Sequence, residues 1–74
     1  MKEHDLVVLL HDRPENGLKA GDVGTVVHMY PTGGGVEVEF ARADGETVAV
    51  ETLEGAALRL FEGPEILHAR KLAS

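Results

Sequence analysis

The sequence predicts a mainly β protein: a small, strongly bent antiparallel barrel of about five strands with a short C-terminal helix. Three observations predict it. The apolar residues come in short β-branched runs such as Leu6-Val7-Val8-Leu9-Leu10, too brief for a globular helix. Between Val36 and Phe40 the apolar positions alternate strictly with Glu37 and Glu39, the pattern of a strand with one buried face. Turn chemistry punctuates the runs, with Asn16-Gly17, Gly33-Gly34-Gly35 and Asp44-Gly45 lying between them.

Each element follows in order. Asp5 to Leu10 reads as a buried strand. It ends where Pro14 restricts its own backbone and Asn16-Gly17 supplies left-handed turn geometry. Leu18-Lys19-Ala20-Gly21-Asp22 is a second bend, and Val23 to Tyr30 a second strand. Gly24 inside that strand signals a bulge or a close approach of another backbone. Pro31-Thr32-Gly33-Gly34-Gly35 is a turn, after which Val36, Val38 and Phe40 face inward on the third strand. Ala43-Asp44-Gly45 is a hairpin turn, and Glu46 to Glu51 a fourth strand with Val48 and Val50 inward. Leu58, Leu60 and Phe61 complete a short fifth strand. Residues 1–62 thus form the barrel. Residues 63–74 form a helix opened by Gly63-Pro64-Glu65, with Arg70 and Lys71 in its last turn, docked on the barrel or on a neighbouring chain.

Composition narrows function. With 74 residues the chain is one small domain whose core leaves a thin stability margin. Cysteine is absent, which removes disulfides, zinc–thiolate sites, iron–sulfur clusters and a thiol nucleophile. No apolar run approaches the roughly 18–20 residues of a membrane helix, and no secretory leader pattern follows Met1-Lys2-Glu3-His4-Asp5, so a cytoplasmic location is expected. Thirteen acidic against seven basic residues give a net charge of −6. That charge repels phosphate backbones and acidic membranes and favours a basic partner, although acidic surfaces commonly serve solubility alone.

The blocks Leu18-Lys19-Ala20-Gly21-Asp22-Val23-Gly24-Thr25-Val26-Val27-His28-Met29-Tyr30, Val36-Glu37-Val38-Glu39-Phe40 and Asp44-Gly45-Glu46-Thr47 occur in a set order. Together they resemble a family of small bacterial proteins known only as a domain of unknown function, over about residues 5–60. That resemblance implies an SH3-like barrel. The Gly-Asp-x-Gly-Thr-Val-Val element from Gly21 to Val27 is also similar to KOW modules of translation and transcription and to the β-subunit barrel of nitrile hydratase. It marks a fold and carries no activity with it.

Candidate sites are few. His4, His11, His28 and His68 include no pair at helical i, i+4 or His-x-His strand spacing, so no shared metal site and no cofactor are expected. Gly33-Gly34-Gly35 lacks the Lys-Ser/Thr and the following helix of a phosphate loop. Thr25, Thr32, Thr47, Thr52 and the terminal Ser74 have no evident base, and no catalytic residue is assigned. Glu37, Glu39 and Glu51, joined by Glu46, should form an outward acidic face on neighbouring strands, with Arg42 the one nearby cation in sequence. That face is either the solvated side of a half-buried sheet or a docking surface for a basic partner.

The expectation is therefore a non-enzymatic protein-interaction module that docks a more basic protein, as an antitoxin or immunity-type protein or an accessory subunit does. A homodimer is expected from the exposed edges of a small open barrel. The alternative is a nucleic-acid-associated module of the KOW kind. Against it, the aromatic residues are only Tyr30, Phe40 and Phe61, and the basic residues Arg13, Lys19, Arg70 and Lys71 are scattered.

Overall fold

A computed structural model of the chain describes residues 1–72. Five strands form one antiparallel sheet: β1 (Leu6–Leu9), β2 (Val23–Met29), β3 (Val36–Ala41), β4 (Thr47–Leu53) and β5 (Leu58–Leu60). Their spatial order is β4-β3-β2-β1-β5, so β1, the first strand in sequence, lies between β2 and β5. β4 and β5 are the two edges, and the sheet is not closed by pairing between them.

The register separates two faces, because residues directly opposite in an antiparallel pair point to the same side. Val7 faces Gly24 and Leu60, Val26 faces Val38, and Val36 faces Leu53. Val7, Val26, Val36, Val38 and Leu53, with Leu9, Phe40 and Leu58, build the core, in which Val7, Leu9, Val26 and Val38 are fully buried, while Leu60 at the β5 edge stays exposed. No helix covers this face among the described residues, so the sheet shields its apolar side by bending over it. Two irregularities serve the bend, between Val26 and His28 on β2 and between Phe40 and Ala41 on β3. Gly24 serves it as well. A Cβ there would lie 2.9 Å from the Glu39 carbonyl oxygen and 2.5 Å from Val38 Cγ1, so only glycine admits this close approach of β3 to β2.

The loop between β1 and β2 is stitched rather than loose. A 3-10 turn over Pro14–Asn16 ends at Gly17 with φ 72°, the left-handed geometry read from Asn16-Gly17. Arg13 and Leu18 exchange backbone hydrogen bonds, and the Ala20 amide donates to Asp12 Oδ1. This holds Leu18 in place to plug the core with its side chain buried.

Three expectations are corrected. The chain after β5 is not helical: a turn at Gly63 and Pro64 is followed by a segment without regular secondary structure through Leu72, while Ala73 and Ser74 lie outside the described residues. A helix this short cannot recover its nucleation cost without burying an apolar face, and here Ile66 is 94% exposed and Leu67 64%. Val50 is not inward but half-exposed, because it stands opposite Glu39 on the outer face. The irregularity at Phe40 and Ala41 shifts the phase, leaving Val48 and Ala49 both against the core edge. Glu51, expected beside Glu37 and Glu39, falls on the opposite face for the same reason.

Candidate functional site

The outer face of β2, β3 and β4 carries two cross-strand rows. In one, His28 faces Glu37 and Glu37 faces Thr52. In the next, Thr25 faces Glu39 and Glu39 faces Val50. Glu37 and Glu39 alternate with the buried Val36, Val38 and Phe40, which is why the core itself holds both carboxylates outward on one strand. The Thr47 hydroxyl donates to Glu39 Oε2 and orients it. At the margin the His28 and Tyr30 rings meet edge to face, 4.7 Å between centroids and 85° between planes. Tyr30 and Val50 are both part-exposed, so the face mixes acidic and apolar surface.

Neither Glu37 nor Glu39 has a Lys, Arg or His nitrogen within ion-pair distance among the described residues. Arg42, the nearby cation, instead closes its own hairpin turn, 2.9 Å from Asp44 and 3.5 Å from Glu46. Glu46 accordingly belongs to that turn and does not join the acidic face. Glu51 stands opposite Val38 on the core-facing side, and its Oε2 is buried without a hydrogen-bond partner. Of the three carboxylates singled out, the fold brings together two.

A second polar centre escaped sequence reasoning. The Asp22 carboxylate accepts from Arg70 Nε at 2.8 Å and Nη2 at 2.7 Å, and from the Lys19 amide at 2.8 Å. His68 Nε2 lies 3.5 Å from it, and Arg70 Nη2 also donates to the Gly17 carbonyl at 2.8 Å. Burial acts to raise the Asp22 carboxyl, but the hydrogen bonds from Arg70 and Lys19, with the charges of Arg70 and His68, outweigh it and hold the group below the usual aspartate value. Arg70 was visible only as a helix-end cation; nothing local in a sequence announces a pair 48 residues apart. On the other side of the tail turn, Arg59 pairs with Glu65 at 2.6 Å, and this bond with the Glu62 amide lowers the Glu65 carboxyl.

Among the described residues no group of three His, Cys, Asp or Glu side chains is placed to hold a metal ion. His28 and His68 lie in the two clusters above. No helix among those residues is long and apolar enough to cross a membrane. An open groove of about 900 Å³ runs between the tail and the β3–β4 hairpin, bounded by Phe40, Val48, Leu67 and Leu72.

No curated protein and no solved structure matches the chain. A family match covers residues 3–60, from just before β1 to the last residue of β5, and leaves the tail outside it. With most of its length matched, the chain belongs to the family described as Domain of unknown function (DUF4926).

Proposed function

We propose that the chain is a non-catalytic interaction module whose outer β2–β4 face docks a more basic protein partner. The observation that carries this reading is the pair Glu37 and Glu39, held side by side and without a cation of their own in a chain of net charge −6. Two desolvatable carboxylates beside Tyr30 and Val50 offer a lysine- or arginine-bearing surface both charge pairing and apolar contact. Glu51 has no part in the surface. In this reading the bent sheet is an open SH3-like barrel and the protein acts in the cytoplasm, as an antitoxin or immunity-type protein or as an accessory subunit. The open sheet edge at β5 supplies the surface for a homodimer. The nucleic-acid reading draws less support, since Arg42, Arg59 and Arg70 are each spent on carboxylates of the chain itself.

The test is capture of partners from nuclease-treated extract with the tagged wild-type protein and with Glu37→Lys/Glu39→Lys, each eluate being weighed by native mass spectrometry. A stoichiometric basic partner held by wild type and lost by the double variant is expected. Retention of that partner by the variant removes the face from the proposal. A bare homo-oligomer in both removes the interaction module itself.

A further inference from the structure

Val8 stands on the outer face, opposite Val23 on β2 and Arg59 on β5, yet it is only 5% exposed. Among the described residues there is no second sheet and no α-helix to lie over that side. What lies over it is the tail: Phe61, Glu65, Ile66 and His68 line with Val8 and Val23 a small open pocket of about 140 Å³. The tail lies across the sheet without joining it, since residues 66–72 make no backbone hydrogen bond to any strand. Its large apolar side chains are not what hold it, Ile66 and Leu67 being turned largely to solvent. Its anchor is the two-pronged bond of Arg70 to Asp22, reinforced by the Gly17 carbonyl. At the near end it is turned by Gly63-Pro64 and fastened by Arg59 to Glu65.

We infer that residues 63–72 are a strap, hinged at Gly63-Pro64 and latched by Arg70 on Asp22, that covers an apolar strip of β1 and β2 and opens as a unit while the sheet stays folded. Three features support a separate opening. The strap lies beyond the family match, which ends at residue 60. It contributes no ladder bond and no residue to the core cluster. Its far end hangs on the Arg70 bonds to Asp22, with His68 Nε2 3.5 Å from the same carboxylate, and a segment with few buried contacts opens well below the free energy of global unfolding. Opening bares Val8 and Val23, frees the Gly17 carbonyl and leaves Asp22 to its own turn, where the Lys19 amide still holds it.

The experiment is native-state hydrogen exchange and backbone ¹⁵N relaxation on the full chain, comparing wild type with Arg70→Met and, as a control on the neighbouring cation, Lys71→Met. In Arg70→Met the strap amides should gain sub-nanosecond mobility and the strap's opening equilibrium should rise by about tenfold or more, with β2–β4 protection unchanged. Val8 and Val23 methyls should become accessible to a soluble paramagnetic probe, and Lys71→Met should behave as wild type. An Arg70→Met tail as ordered as in wild type overturns the latch. Joint loss of protection in strap and sheet, or failure of both Arg70→Met and Asp22→Asn to fold, shows a segment integral to the domain and overturns the strap.

Discussion

At Gly24 a hydrogen in place of a side chain decides how closely two strands approach. An alanine there meets a backbone oxygen as well as Val38 and Phe40, and a backbone atom cannot swing aside as a flexible side chain can. Gly24→Ala should cost about 2–3 kcal/mol, read as a fall in the urea midpoint. Asp22 makes the second prediction at this scale. Its carboxyl sits lower folded than unfolded, so the stability it adds is complete above the unfolded value near about pH 4. That stability is lost as pH falls through the lower folded value. Asp22→Asn should therefore flatten the acid limb of the pH–stability curve below about pH 4 and lower the plateau at neutral pH. Equal slopes in both proteins would mean that other carboxylates govern acid unfolding. Gly24 was legible because a glycine amid β-branched neighbours needs a reason. The partner of Asp22 was not, because ion pairs between distant segments leave no periodic trace.

Among the elements, β3 was the most legible and β4 the least. On β3 Val36, Val38 and Phe40 are apolar and Glu37 and Glu39 between them acidic, so one face admits a single register. β4 reads Thr-Val-Ala-Val-Glu-Thr-Leu, apolar enough on both sides that a one-residue shift looks equally good in sequence. The irregularity opposite Phe40 makes that shift, sending Val50 outward and Glu51 inward. An inward carboxylate on an edge strand resists addition of another strand, because a straightened, paired edge would bury it further. Glu51→Val should raise stability by about 1 kcal/mol by removing an unpartnered buried oxygen. At equal concentration the same change should shift sedimentation to larger species than those of wild type, as β4 begins to pair with other copies. A more stable variant that stays unchanged in sedimentation would leave Glu51 with no role at the edge. The tail was misread for a related reason: Pro64, Glu65, Arg70 and Lys71 follow helix-end rules, yet helix-end rules do not supply an apolar face to bury.

For the whole molecule the margin is narrow. A chain of this length commands roughly 4–11 kcal/mol in total, and its core is a single cluster without a second layer or a disulfide. Leu9→Ala, at a fully buried site, should remove about 2–5 kcal/mol and bring thermal unfolding close to ambient temperature. A loss below about 1 kcal/mol would mean that the bent sheet collapses readily into the space. The architecture also has a consequence for the chain as a thread. Because β5 pairs with β1, and the Phe61 amide donates to the Leu6 carbonyl at 3.0 Å, the first and last strands of the matched domain finish side by side. A short peptide bridge between residues near 5 and 61 would join them without crossing the sheet, and the Asp44-Gly45 turn is an exposed place to open new ends. The domain is thus built for circular permutation, and for insertion as a cassette into a loop of another protein, its two points of attachment being neighbours.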